Sequence, residues 1–204
     1  MIKNLIFDFG NVVVRFSPPY MASLVTDNEE DAKVLVETVF NPKTFEETDR
    51  GLISLEEHIK MVLPMVPKHL ESKAITLLTD WYQMLPVYDG MEELISSVKK
   101  AGYKIYILSN INSHFKDNAH KVLVLKIFDG TVFSSEIKKI KPEREIYEYL
   151  LKKYSLKAEE CMFIDDRLIN AEGAEQVGIK GFHFKSAQQL REYINSSDEF
   201  ISKI

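Results

Sequence analysis

Three short apolar runs, far apart in the chain, each stop at polar residues capable of chemistry. Leu5-Ile6-Phe7 runs into Asp8, Tyr106-Ile107-Leu108 into Ser109-Asn110, and Met162-Phe163-Ile164 into Asp165-Asp166. Uninterrupted apolar runs of this length suit strands buried on both faces, as in a parallel sheet between two layers of helices. Such sheets bind ligands beyond the carboxyl ends of their strands. If the three strands are neighbours, their tips gather three carboxylates, a hydroxyl and an amide at one edge. That grouping suits metal-assisted chemistry on phosphate.

The intervening sequence alternates helix and strand signals. Asp89 and Glu92 read as caps of a helix through Leu94, Ile95 and Val98, ended by Gly102 at its C′ position. The strand Lys104–Leu108 follows, then a helix over His114–Leu125 and a short strand, Thr131–Phe133. A helix over Glu143–Tyr154 has Pro142 in its first turn. A helix through Ala171–Val177, a strand Phe182–Phe184 and a helix from Ser186 complete the pattern, with residues from Ser196 onward expected to fray. This alternation predicts an α/β fold, a doubly wound Rossmann-like parallel sheet built from residues 1–16 and 87–204. Residues 17–86 read differently, as helix throughout: Glu29–Phe40, a helix from a Ser54/Glu57 capping box to Pro64 and Pro67, and Glu71–Leu85. They predict a helical cap subdomain inserted after the first strand.

Composition narrows the partners. A net charge of −5 over 204 residues argues against broad attraction to nucleic acid or anionic membrane. No apolar stretch approaches membrane-spanning length. Cys161 is the only cysteine, so no intrachain disulfide forms, and a reducing, cytoplasmic setting is expected. The first strand begins directly after Met1-Ile2-Lys3-Asn4, so no signal sequence is expected. Cys161 itself reads as a structural thiol. A monomer acting on a small phosphorylated molecule is the expected form.

Each candidate residue also has a plainer reading. Asp8 before Gly10-Asn11, and Ser109-Asn110, are both compatible with ordinary turns. Asp165-Asp166 is harder to dismiss, because adjacent carboxylates at the end of an apolar strand repel unless a cation offsets them. Mg²⁺ suits that role, with its preference for oxygen ligands. Asn170 reads as the N-cap of the next helix, placed to orient these acids. Lys138, Lys139, Lys141 and Arg144 read as a small-anion site, in which Lys141 joins a helix N-terminus at the same sheet edge.

The order Asp…Ser…Lys…Asp-Asp resembles the haloacid dehalogenase-like hydrolase superfamily over nearly the whole chain. Phe7-Asp8-Phe9-Gly10-Asn11 resembles its first motif, Leu108-Ser109-Asn110 the second and Lys141-Pro142 the third. Phe163-Ile164-Asp165-Asp166, with Asn170 and Glu172-Gly173-Ala174, resembles the fourth. The helical insertion is similar to the family's helical cap, and Asp49-Arg50-Gly51-Leu52-Ile53-Ser54 to a turn common inside such caps. The opening Asp8-Phe9-Gly10-Asn11 and the run Ser109–His114 most resemble bacterial phosphatases active on glucose 1-phosphate. The resemblance implies that Asp8 attacks phosphorus to form an aspartyl-phosphate. It implies Mg²⁺ held by Asp8, the Gly10 carbonyl and Asp166, with Asp165 acting through a bound water. It implies phosphoryl oxygens held by Ser109, the Asn110 amide and Lys141.

One departure matters. Most phosphatases of this superfamily carry an acid–base Asp two residues after the nucleophile, where this chain has Gly10. General acid catalysis is typically worth about 10²–10⁴-fold. A good leaving group, such as a sugar 1-phosphate, reduces the need for it; His114 or a cap side chain is a candidate substitute. Phe16, Phe45, Glu46 and Arg50 are the cap-side candidates for facing the site. Two rival readings are a 2-haloacid dehalogenase, for which paired acids have no evident purpose, and a non-catalytic phospholigand-binding protein. The match of Asp8-Phe9-Gly10 to the metal-binding tripeptide of protein kinases is accidental, since no glycine-rich loop precedes it.

Overall fold

The apolar runs form neighbouring strands. In the computed structural model, which describes residues 1–204, they are β1 (Asn4–Phe7), β2 (Lys104–Ser109) and β4 (Cys161–Asp165). With β3 (Gly130–Phe133) and β5 (Lys180–His183) they make one five-stranded sheet of order β3-β2-β1-β4-β5, parallel throughout. Phe7 pairs with Ile107 on one side and Ile164 on the other, so Asp8, Ser109 and Asp165 end three adjacent strands together. The pleat divides the apolar residues between two faces. Leu5, Phe7, Ile105, Ile107, Met162 and Ile164 meet Leu94 and Ile95 of α6 (Met91–Lys100) and Leu190 and Ile194 of α10 (Ala187–Ser196). Ile6, Tyr106, Leu108 and Phe163 meet Ile146 and Leu150 of α8 (Arg144–Lys153) and Ala174 of α9 (Leu168–Glu175).

Between β1 and α6 the chain is helical: α1 (Pro18–Ser23), α2 (Glu29–Val39), α3 (Pro42–Asp49), α4 (Leu55–Val62) and α5 (Glu71–Asp80). Ser54 and Glu57 form the expected reciprocal capping box of α4. These helices share one continuous apolar core with the sheet. Trp81 stacks on Phe115 at 5.1 Å between ring centres, and Phe115 packs on Phe9 at 5.3 Å. No helix is long and apolar enough to cross a membrane.

Several local expectations are corrected. Helix α5 ends at Asp80 rather than Leu85, giving way to a 3₁₀ turn, Trp81–Gln83. The Thr79 hydroxyl bonds back to the Ile75 carbonyl, and the Thr79 carbonyl accepts from His114 Nε2 at 2.8 Å. That carbonyl is the one Gln83 would need to continue the helix. Helix α7 (Ser113–Asn118) stops well before Leu125 for a similar reason. Asn118 donates its own side-chain amide to the His114 carbonyl, and 3₁₀ turns follow. The first residue of α6 follows Gly90, at φ +75°, with no side-chain cap, while Asp89 instead pairs with Arg15. Pro142 lies outside α8, whose N-cap is Glu143. The C-terminal residues dock: Phe200 forms a β-bridge with Ile2, and Tyr103 donates its hydroxyl to the Ser202 carbonyl.

Cys161 is buried in β4, where loss of water pushes its thiol up to about 12. A thiol attacks a disulfide only as its thiolate. Native protein at pH 8 is therefore expected to resist a thiol-specific disulfide reagent and to react with one equivalent after denaturation. Rapid labelling of the native chain would overturn this placement.

Candidate active site

Asp8 follows β1, and its backbone N–H continues the ladder to the Ile164 carbonyl at 2.8 Å. The chain then turns sharply. Val13 and Val14 both donate to the Phe9 carbonyl, and Asn11, at φ +57°, accepts the Phe16 N–H on its side chain. Asparagine tolerates this left-handed conformation, so Gly10-Asn11 is a genuine turn as well as part of the site.

Three donors converge on one oxygen of Asp8. Oδ1 accepts from the Phe9 N–H at 2.7 Å, the Ser109 hydroxyl at 2.6 Å and Lys141 Nζ at 2.8 Å. Oδ2 is left without a protein partner, in a residue that lines the cavity. Burial pushes the Asp8 carboxyl up to about 6, against the pull of Lys141.

Lys141 is buried and bridges the Asp8 and Asp165 carboxylates, with Nζ 2.6 Å from Asp165 Oδ2. Asn110 fixes it from the backbone side: its Oδ1 accepts the Lys141 N–H at 2.8 Å and its Nδ2 donates to the Lys141 carbonyl at 3.3 Å. Close packing of α9 holds the next residue, since a Cβ at Gly173 would lie 2.8 Å from the Cβ of Pro142. Asp165 is fully buried. It also accepts the Arg167 N–H at 2.8 Å and both of its oxygens take the Asn170 amide, at 3.0 and 3.1 Å. Asn170 therefore orients the acid as expected, but from inside α9; the N-cap is Arg167. Asp166 is half-buried, and burial together with Asp165 raises its carboxyl above the usual range.

The Asp8, Asp165 and Asp166 carboxylates offer oxygens all within 4.8 Å of one another, against the single ammonium of Lys141. Nearby, Asn170 Oδ1 is buried with no partner. Clustered oxygen donors with excess negative charge are what a hard divalent cation requires.

A cavity of about 220 Å³ opens over this edge. Its floor includes Asp8, Gly10, Ser109, Asn110, Lys141 and Asp166; Phe16, Phe45, Trp81 and Leu85 form apolar walls, and Asp49 also lines it. The structure thus brings together every residue singled out at the strand ends. It does not bring in the rest of the basic group: Lys139 pairs with Glu143 and Glu145, and Arg144 with Glu148. The first turn of α8 does not line the cavity either. Among the cap-side candidates Phe16 and Phe45 line it, whereas Arg50 is tied to Glu46 and Glu143. His114 is bound to the Thr79 carbonyl and faces a different, smaller cavity. Asp49 was not anticipated. Its signal was its position four residues after Phe45, on the same face of a helix.

An all-parallel sheet with helices packed over its carboxyl edge, and a lysine-bridged acid cluster beneath them, defines an enzyme of the doubly wound α/β class. Within that class the chain belongs to the haloacid dehalogenase-like hydrolases, whose family profile matches residues 2–178. Enzymes named as phosphatases are among its relatives. It is 29% identical to a sesquiterpene phosphatase of Aspergillus oryzae, over 89% of either chain. It is 22% identical to a D-ribitol-5-phosphate phosphatase of Bacteroides thetaiotaomicron, over 94% of this chain and 96% of that one. A crystal structure of a HAD-family enzyme of B. thetaiotaomicron, in complex with magnesium and inorganic phosphate, superimposes with a TM-score of 0.72. That match has 27% identity and covers 91% of this chain and 96% of the other.

Proposed function

We propose that this chain is a Mg²⁺-dependent phosphatase that hydrolyses a small phosphorylated metabolite through a covalent acyl phosphate on Asp8. The observation that carries this reading is the Asp8 carboxylate itself. One oxygen is immobilised by Ser109, Phe9 and Lys141, and the other is left for attack at the cavity floor. Positioning of this kind removes much of the entropic cost of attack. Ser109, the backbone at Asn110 and Lys141 surround the place where a phosphoryl group meets Asp8, and would stabilise the charge that spreads over its oxygens. Asp8, the Gly10 carbonyl and Asp166 would hold Mg²⁺, with Asp165 acting through a water; the ion, when bound, offsets the charge of the phosphoryl group and the acid cluster. The acid cluster and the unpartnered Asn170 Oδ1 support that assignment. The helical segment 17–86 serves as the cap over this site.

The walls bear on the substrate. Phe16, Phe45, Trp81 and Leu85 offer little to the hydroxyls of a sugar, and a cavity of about 220 Å³ is small for a ligand pocket. A compact, largely apolar alcohol phosphate suits these walls better than the sugar 1-phosphate suggested by the opening motif. The sesquiterpene phosphatase among the relatives agrees with an apolar alcohol.

Phosphate release from a panel of isoprenyl, alkyl and sugar phosphates, with and without Mg²⁺, tests the proposal. Turnover is expected to favour the apolar alcohols, to fall to background with EDTA and to return with Mg²⁺. Halide release from a 2-haloacid, indifferent to EDTA, would instead establish the dehalogenase reading.

A further inference from the structure

Gly10 leaves the leaving group without a proton donor from the first strand, yet the cavity contains a carboxyl outside the acid–lysine cluster. We infer that Asp49, from the helical segment, is the catalytic acid and base of this enzyme, giving a proton to the departing alcohol oxygen. The inference rests on the phosphatase reading above.

Asp49 closes α3 and lines the same cavity as Asp8. Its side chain makes no hydrogen bond and no ion pair, while its surroundings are fixed on three sides. The Ser134 hydroxyl donates to the Asp49 backbone carbonyl. Gly51, at φ +66°, lies against Ser135, where a Cβ would come within 3.0 Å of the Ser135 carbonyl. Arg50 bridges to Glu143, beside Lys141. The turn after α3 is thus clamped onto the core, and a free carboxyl is held over the reacting edge.

The other titratable groups of the cavity are committed. Asp8 is the nucleophile, Lys141 bridges two carboxylates and Asp166 belongs to the acid cluster. The surroundings also favour the protonated form of Asp49. Burial, the neighbouring Asp8 charge and Glu46 hold its carboxyl well above the usual range, opposed by Lys141. Its place at a helix C-terminus, where the backbone dipole is negative, acts in the same direction.

The steps balance. Asp8 bonds to phosphorus as the bond from phosphorus to the alcohol oxygen breaks, and the Asp49 proton passes to that oxygen. Ionised Asp49 then takes a proton from the water that attacks the phosphoenzyme. The Asp8–phosphorus bond breaks, releasing inorganic phosphate and restoring protonated Asp49.

The test compares Asp49→Asn with wild type on an alkyl phosphate and on 2,4-dinitrophenyl phosphate, whose leaving group departs as a stable anion. The variant is expected to lose about 10²–10⁴-fold in the single-turnover rate of alcohol release from the alkyl ester and to stay within about threefold in the burst of dinitrophenolate from the other. The later hydrolysis step, which also uses Asp49, follows both. Retained activity on the second ester also shows that the variant is folded. Equal losses in these first-step release rates on both esters, or no loss on the alkyl ester, would overturn the role of Asp49 while leaving the phosphatase reading intact. A wild-type enzyme inert on both esters would overturn the reading and this inference together.

Discussion

Replacing Asp8 by Asn is expected to reduce phosphate release by ~10⁴-fold or more in kcat. An amide is isosteric with the carboxylate but is not a nucleophile toward phosphorus, so no acyl phosphate forms and the second half-reaction has nothing to hydrolyse. The scaffold should tolerate the change. Lys141 keeps its contact to Asp165 at 2.6 Å, and an amide oxygen can still accept from Ser109 and the Phe9 N–H. Steady-state phosphate release, with circular dichroism to show a native fold, checks the result. Activity within tenfold of wild type would remove Asp8 from the role proposed here.

Lys141→Met should affect the protein itself. Lys141 is the buried cation between Asp8 and Asp165. Removing one partner of a buried ionic group leaves uncompensated charge, at a typical cost of about 3–5 kcal/mol. The loss should depend on pH, and its sign follows from Asp8. Burial already raises its folded-state carboxyl to about 6, and Lys141 is the group pulling it down, so the variant's Asp8 lies higher still. A carboxyl whose folded value exceeds its unfolded value binds more protons in the folded state, so stability falls as pH rises between the two. The metal-free variant should therefore be penalised more at pH 8 than at pH 5. Urea denaturation of both proteins at the two pH values measures this; an equal or larger penalty at pH 5 would contradict it.

The strand tips were legible because they depend on local pattern. An apolar run ending in an acid looks the same in sequence whichever strands flank it, and the parallel pairing of β1 with β2 and β4 brings the tips together. Gly102 as a helix stop, at φ +91°, and the Ser54/Glu57 box are equally local. Part of what failed depends on contacts distant in sequence, and part on pairing with near neighbours. His114 reaches the Thr79 carbonyl across 35 residues and helps to end α5 there. Lys139 and Arg144 are drawn away from the site by neighbouring acids, which leaves Lys141 as the buried cation of the group. Asp49 becomes a candidate only once α3 is seen docked on Ser134, Ser135 and Glu143. The motif string that contains it does not show that it lines the same cavity as Asp8.

The stacking of Trp81 on Phe115 has a practical consequence. Trp81 is the only tryptophan, and it sits where the inserted helices meet the sheet, on a ring that itself rests on Phe9 beside the nucleophile. Its fluorescence is therefore an intrinsic gauge of that seam. A rigid-body opening of the helices would break the stack before any strand is lost, so emission and far-ultraviolet dichroism would part company. If the two halves instead separate only as the whole molecule melts, the signals will coincide, and substrate must enter without the seam coming apart.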